Sequence, residues 1–135
     1  MKEILKIGFV GTAISPYYAE EQEVRKNSET QLKKLLQNYD VELISFHKTI
    51  FSKEDSIEVE KFLKNKVDFL LIQTSSCSSG EQLYPLCNIS SKIGVWAVPD
   101  IEKEGDVRLH SLVSTSHYLG IIKKTLSDRK IKTKW

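Results

Sequence analysis

The sequence predicts an α/β domain in which a parallel sheet lies between two layers of helices. Two observations support this prediction. Four short apolar segments alternate with four longer amphipathic segments along the 135 residues, and such alternation is typical of parallel sheets with helical crossovers. Two of the apolar segments are nearly continuous, as in strands that are covered on both faces. We therefore expect a three-layer α/β/α sandwich.

The strands are indicated by apolar runs that end at turn-forming residues. In chain order, the predicted strands are 4–10, 41–46, 67–73 and 93–98. The first and third are almost entirely apolar, and the fourth stops at Pro99. The second strand is interrupted by Glu42 and Ser45, and this alternation suits an edge position. The expected strand order is therefore 2-1-3-4, as in flavodoxin-like or Rossmann-like sheets.

The helices are indicated by apolar residues that recur on one face between the strands. In chain order, the predicted helices are 19–38, 56–65, 81–90 and 112–126. Ser56 is the expected N-cap of the second helix, because a serine hydroxyl can accept a hydrogen bond from a free amide of the first turn. We expect residues 1–127 to form the domain. Residues 128–135 are predicted to be a basic tail or the start of a linker to a missing domain.

Composition excludes several classes of protein. No apolar run approaches the roughly 20 residues that a membrane span needs, and the start at Met1 lacks the features of a signal peptide. We therefore expect a cytoplasmic protein with no membrane partner. The net charge is only +2, and the basic residues at 123–134 suit a solvated helix end better than a nucleic-acid surface. Cys77 and Cys87 are expected to be reduced thiols.

Ligands of parallel α/β folds bind beyond the carboxyl ends of the strands. The loops at this edge are predicted to be 11–18, 47–55, 74–80 and 99–116. The first loop matches neither G-x-G-x-x-G nor G-x-x-x-x-G-K-[ST]. Thr12 and Tyr17 therefore either contact a ligand or belong to a loop in which Gly11 only allows a turn and the tyrosines only pack. The third loop is rich in hydroxyls. Its Ser76 either binds a small polar ligand or belongs to a helix-entry loop with Ser79 as the cap.

Catalytic and metal-binding signals are weak. The three histidines, His47, His110 and His117, are scattered and lack the i, i+4 spacing of a helical metal pair. We therefore expect no metal site in this chain. Cys77 can act as a nucleophile only if the fold brings a base next to it.

Two segments near the end of the chain carry a resemblance. The first is Ile93-Gly94-Val95-Trp96-Ala97-Val98-Pro99, and the second is Arg108-Leu109-His110-Ser111-Leu112. Together they resemble the amino-terminal domain of the L-fucose/L-arabinose isomerase-like family, whose members commonly carry V-W-A-x-P, a short insert and R-L-N-S-L-x-G-x-N. This sequence departs from that pattern at His110, Val113, Ser114 and Ser116.

The resemblance implies aldose–ketose isomerisation through an enediol, usually with Mn²⁺. It also implies that the metal ligands and acid–base residues lie in later domains, while the amino-terminal domain helps to shape the site, often across a subunit boundary. The chain is thus expected to be the amino-terminal domain, as a fragment or a split subunit, of such an isomerase and to be inactive alone. Its expected partners are the missing C-terminal domains or a complementing subunit in a homo- or hetero-oligomer, with a sugar as possible ligand.

The residues expected to contact substrate or a partner are His110, Ser111, Thr12, Tyr17, Ser76 and Trp96. Because Trp96 lies inside an apolar strand, it is also a candidate core residue. Two other functions stay open. One is a stand-alone, non-catalytic module that binds a sugar or regulates a partner, which the departures at His110, Val113 and Ser114 favour. The other is a flavodoxin-like electron carrier or phosphoacceptor.

Overall fold

The computed structural model describes residues 3–14, 21–99 and 111–129 of the chain. These residues form strands and helices in strict alternation. In chain order they are β1 (Leu5–Thr12), α1 (Glu21–Leu36), β2 (Val41–Ser45), α2 (Lys53–Leu63), β3 (Phe69–Thr74), α3 (Gly80–Leu86), β4 (Ile93–Ala97) and α4 (Ser111–Asp128). The predicted alternation is confirmed.

The four strands form one parallel sheet in the order β2-β1-β3-β4. The predicted order 2-1-3-4 is therefore confirmed, with the alternating strand β2 at an edge. The connection from β1 leads to β2 at one edge of the sheet, and the connection from β3 leads to β4 at the other edge. The direction of the crossovers consequently switches between β1 and β3, and the carboxyl ends of the strands at such a switch point are where these folds bind their ligands.

Two glycines of β1 show how the helices are divided between the faces of the sheet. A Cβ atom at Gly8 would lie 3.1 Å from Cδ1 of Leu63 in α2, and one at Gly11 would lie 2.7 Å from Cγ of Arg25 in α1. Strand positions 8 and 11 point to opposite faces, so α1 and α2 lie on opposite sides. Helix α3 packs against both α2 and α4, which places these three helices together and completes the three layers.

The main core lies between the sheet and the layer formed by α2, α3 and α4. Its buried apolar side chains are Val10, Phe46, Ile50, Val59, Leu63, Leu70, Ile72, Leu83, Leu86, Cys87, Ile89, Tyr118, Ile122 and Leu126. Burial of this kind supplies most of the stability of a domain of this size. The core therefore holds the carboxyl edge of the sheet in one arrangement.

The start of α2 differs from the sequence-based expectation. The helix begins at Lys53, and Oγ of Ser52 accepts a hydrogen bond from the amide of Asp55 at 3.1 Å. The prediction that Ser56 is the N-cap is wrong, because Ser56 is fully buried inside the first turn. The polar first turn, Lys53 to Ser56, precedes the apolar periodicity from which the helix was recognised.

At the other end of the chain, α4 ends at Asp128, and Nη1 of Arg129 donates to the carbonyl of Cys87 at 2.9 Å. The division of the chain into residues 1–127 and 128–135 stays a prediction, since residues 130–135 lie outside the described part. No helix in the described ranges has the length and hydrophobicity needed to cross a membrane.

Candidate functional site

The candidate site is the carboxyl edge of the sheet at the switch point between β1 and β3. Thr12 of β1 stands opposite Thr74 of β3 in the strand register. The loop after β3, residues 75–79, leads into α3, and β4 ends beside it at Ala97. The segments that follow β1, β3 and β4 therefore meet in one place, as expected for a parallel sheet.

Hydrogen bonds join the loops that follow β1 and β3. Oγ1 of Thr12 lies 3.0 Å from Oγ of Ser78, and the amide of Ser75 donates to the carbonyl of Thr12 at 2.8 Å. The amide of Ile14 donates to Oγ of Ser76 at 3.4 Å. Thr12, Ser75 and Ser76 are all fully buried. The two predicted contact residues, Thr12 and Ser76, thus lie together at the edge, but they hold the loops to each other.

Ser111 joins three elements at the same edge. Its hydroxyl donates to the carbonyl of Thr74 in β3, accepts from the amide of Val98 at 2.9 Å and lies 2.9 Å from Oγ1 of Thr74. Oγ1 of Thr74 in turn lies 2.7 Å from Oγ1 of Thr115. Ser111 is fully buried. Like Thr12 and Ser76, it fixes the shape of the edge instead of projecting from it.

Three further residues of this network were missed by the sequence analysis. Oγ of Ser114 accepts from the amide of Ser78 at 2.7 Å. Nε2 of Gln82 donates to the carbonyl of Ala13 at 2.7 Å, and the hydroxyl of Tyr118 donates to Oε1 of Gln82 at 3.1 Å. The signal for two of them is in α4, where Ser114 and Tyr118 are four residues apart and so lie on one helix face.

The hydroxyl of Tyr118 stays protonated throughout the physiological range. Burial raises the pKa of Tyr118 to about 12, because the ionised form is poorly solvated inside the protein. The neutral phenol therefore keeps its single proton, which Oε1 of Gln82 and the carbonyl of Ser79 share as acceptors at 3.1 Å and 3.2 Å. This donor braces the loop that precedes α3.

Arg25 explains the glycine of the first loop. A Cβ atom at Gly11 would lie 2.7 Å from Cγ of Arg25, whose side chain crosses the strand at this point. The guanidinium then reaches the end of β2, where Nη1 donates to the carbonyl of Phe46 at 3.3 Å and Nη2 donates to the carbonyl of His47 at 3.2 Å. Gly11 therefore makes room for a side chain that ties α1 to the sheet.

The buried charge of Arg25 is balanced by Glu29. Nη1 of Arg25 donates to Oε2 of Glu29 at 2.7 Å, and Nζ of Lys33 lies 2.6 Å from Oε1 of the same carboxylate. Burial raises the pKa of Glu29, but the hydrogen bonds from Lys33 and Arg25 outweigh burial and hold the pKa below its usual value. Glu29 is consequently ionised at neutral pH.

Around the hydroxyl network, the solvent-facing residues that the structure describes are uncharged and mostly apolar: the half-buried side chains of Ile14, Cys77 and Ser79, and the exposed ring of Pro99. Charged side chains lie in the loop after β2 at the same edge, where Lys48 pairs with Asp55 at 2.9 Å. Cys77 is a free thiol. Among the described residues, no group of three or more His, Cys, Asp or Glu side chains is placed to hold a metal ion. The arrangement can therefore offer hydrogen bonds and a shaped surface.

The remaining predicted contact residues lie elsewhere. Trp96 points from β4 to the face that carries α1, where its ring centroid is 6.4 Å from that of Phe9. It is half-buried, so it is neither a fully buried core residue nor part of the hydroxyl network. His110 and Tyr17 lie outside the described residues, and their proposed roles stay predictions.

No protein-family model and no curated protein matches the chain. The resemblance to the isomerase-like family therefore stays an expectation that rests on the segments 93–99 and 108–112.

Proposed function

We propose that the chain is an amino-terminal domain of an aldose–ketose isomerase-like protein, in which the carboxyl edge of the sheet forms one wall of a sugar site. Another domain or another chain completes the site. The observation that supports this most is the hydrogen bond from the amide of Val98 to Oγ of Ser111. It joins the two segments that carry the family resemblance at the edge where parallel α/β domains bind ligands.

The chemistry of the edge suits a neutral ligand with many hydroxyls. Its solvent-facing residues carry a hydroxyl, a thiol and peptide groups, which can both donate and accept hydrogen bonds. The buried hydroxyls behind them hold the loops in place, so that little conformational entropy has to be lost when a ligand binds. In this proposal, His110 contacts a sugar hydroxyl as donor or acceptor in place of the family's asparagine.

The proposal assigns the proton transfers and the Mn²⁺ of a complete enzyme to the completing domain or chain. Such a metal would polarise the carbonyl and hold two adjacent oxygens of the sugar. The described residues do not fit this role, because they offer no cluster of metal ligands. This chain contributes shape and hydrogen bonds, and no step of the isomerisation is attributed to its side chains.

A sugar titration followed by NMR tests the proposal. The isotope-labelled chain is titrated with L-fucose and L-arabinose, with glycerol as a control for non-specific hydroxyl effects. Saturable shifts are expected for the amides of 74–80, 98–99 and 111–115, with a Kd of about 1 mM, corresponding to about −4 kcal/mol for a partial site. An absence of saturable shifts there at about 50 mM sugar, some fifty times that Kd, contradicts the proposal.

Two histidine variants sharpen the test. His110→Ala should weaken the binding of sugar about ten-fold, a loss of about 1.4 kcal/mol that fits one hydrogen bond to a ligand. His117→Ala is the matched control, because His117 lies on the exposed side of α4. Equal affinities of both variants would remove His110 from the site.

An activity assay separates the proposal from its alternative. With added Mn²⁺, the chain alone should form no ketose from either sugar. Turnover by the chain alone would contradict the assignment of acid–base residues to another domain. Saturable sugar binding by a chain that neither associates with nor activates any isomerase subunit would favour the stand-alone binding module.

A further inference from the structure

The face of the sheet that carries α1 is only partly covered by the described residues. Helix α1 packs on β1 and β2, whereas Phe69 and Leu71 of β3 and Trp96 of β4 face the same side and are only half-buried. Parallel sheets normally carry helices on both faces. The described residues thus leave room for a further helix on the part of the face over β3 and β4.

A groove lies between α1 and β4 on this face. The α1–β4 groove is lined by Val24, Asn27, Ser28, Gln31, Trp96, Val98 and Pro99 and has a volume of about 240 Å³. Pockets for small molecules are usually larger, at about 300–1,000 Å³. A volume below that range suits a large anchoring side chain of a protein partner better than a cofactor.

The groove continues along α1 as a stripe of side chains. Val24, Ser28 and Gln31 follow the spacing i, i+4, i+7, and Leu35 continues it at i+11, so all four lie on one side of the helix. The side chain of Leu35 is 67% exposed, although it is large and apolar. At 1.5 Å per residue, the stripe from Val24 to Leu35 is about 16 Å long, the length of a helix of three turns.

Two lysines stand at the same end of this groove. Lys34 is seven residues beyond Asn27 and therefore lies on the same side of α1, two turns along. Lys92 directly precedes β4, and its carbonyl accepts from the amide of Leu70, which continues the hydrogen bonding between β3 and β4. Because side chains alternate along a strand, Lys92 faces the same side of the sheet as Gly94 and Trp96. Because α1 runs antiparallel to the strands, both lysines lie towards the amino-terminal end of β4, beyond the residues that line the groove.

We propose that the α1–β4 groove receives an amphipathic α-helix of about three turns from a partner protein. The helix places a large apolar side chain against Trp96 and carboxylates between Lys34 and Lys92. Aromatic and aliphatic anchors in such grooves supply most of the affinity, while opposite charges at the rim select the partner and its orientation. This inference goes beyond the proposed function, because the surface is the face of the sheet and not its carboxyl edge.

Two designed peptides test the proposal directly. Both are helical, about 14 residues long, with leucines at i, i+4, i+7 and i+11; one carries glutamates beside this stripe and the other carries lysines. NMR should show shifts confined to 24–35, 69–73 and 92–98. The glutamate peptide should bind about five-fold more tightly than the lysine peptide at low salt, as expected for two exposed ion pairs.

A charge reversal makes the test independent of peptide design. The double variant Lys34→Glu/Lys92→Glu should bind the lysine peptide more tightly than the glutamate peptide. The matched control, Lys53→Glu/Lys61→Glu, changes two exposed lysines of α2 on the opposite side of the sheet and should keep the original preference. An unchanged preference in the groove variant, or shifts outside the groove, would overturn the proposal.

Two measurements on the free chain test two other occupants, namely the chain itself and a second copy. Acrylamide should quench the fluorescence of Trp96 in a Trp135→Phe background, because an open groove exposes the ring. A ring that is fully protected in the monomer would mean that the chain covers its own groove. A concentration-dependent dimer that Lys34→Glu/Lys92→Glu dissociates, while the α2 control does not, would assign the groove to a second copy. Either result overturns the proposal.

Discussion

Replacing Ser111 with alanine tests whether the buried hydroxyl network stabilises the carboxyl edge. The hydroxyl donates to the carbonyl of Thr74 and accepts from the amide of Val98. Its removal leaves both groups without this partner at a fully buried position. A buried group that loses its partner costs about 1–3 kcal/mol. Because Val98 is only half-buried, water can relieve part of the loss, and we expect a decrease of about 2 kcal/mol in the free energy of unfolding.

The control is Ser116→Ala on the same helix. Oγ of Ser116 is exposed and donates only to the carbonyl of Leu112 within α4, so this change should stay within about 0.5 kcal/mol of the parent. Urea denaturation followed by circular dichroism measures both variants, and the m-value should not change. In thermal melts, Ser111→Ala should lower Tm by about 8 °C, at about 4 °C per kcal/mol for a chain of this size.

Hydrogen exchange locates the effect. The amide of Val98 should exchange faster in Ser111→Ala than in Ser116→Ala, because it loses its acceptor in the first variant alone. Equal stabilities of the two variants, or an unchanged exchange rate at Val98, would refute the view that Ser111 fastens β4 to α4.

Three further predictions concern glycines and thiols. Gly11→Ala should destabilise the chain by about 2 kcal/mol, because the new Cβ would meet Cγ of Arg25 at 2.7 Å. Gly120→Ala, whose new Cβ meets nothing within 4 Å, should stabilise the chain by up to about 1 kcal/mol through helix propensity. Urea denaturation compares the two variants, and equal effects would contradict the packing of Arg25. Iodoacetamide should label the half-buried Cys77 in the folded chain and label Cys87 only after unfolding, since Cys87 is 2% exposed. Mass spectrometry after proteolysis measures the labelling of each thiol, and equal labelling would contradict the burial of Cys87. Burial raises the pKa of Cys87 from 9.0 to about 11. Because the unfolded state releases this proton first, the free energy of unfolding should fall as the pH rises from 9 towards 11. Cys87→Ala should flatten this decline, and an identical pH profile would refute the contribution of the thiol.

The fold was predictable because periodicity and alternation are properties of the sequence itself. The edge position of β2 followed from Glu42 and Ser45, and the structure places β2 there. The start of α2 was not predictable in the same way, because Ser52 and Ser56 both precede residues that suit a first helical turn. The apolar pattern begins only at Ile57, so it pointed to the later serine, whereas the structure uses the earlier one.

The location of the candidate site was predictable, but its internal chemistry was not. The rule for parallel sheets placed Thr12, Ser76 and Ser111 at one edge, and the structure brings them there. Their burial depends on pairings between residues far apart in the chain, such as Thr12 with Ser78, separated by 66 positions. No local pattern encodes such a pairing. The need for glycine at position 11 was not predictable either, because it arises from the close approach of the Arg25 side chain of α1.

The two halves of the sheet are fastened by different chemistry. At the end of β2 a charged group makes the link, since the guanidinium of Arg25 donates to the carbonyls of Phe46 and His47. Its charge is neutralised by Glu29, whose pKa is held below its usual value. At the end of β4 the link is neutral, because the hydroxyl of Ser111 does not titrate. A carboxyl group whose folded-state pKa is lowered contributes stability that is lost as the pH falls through that pKa, so acid that protonates Glu29 should weaken the attachment of α1 at the end of β2. The hydrogen bonds of the Ser111 hydroxyl at the end of β4 carry no such dependence on pH.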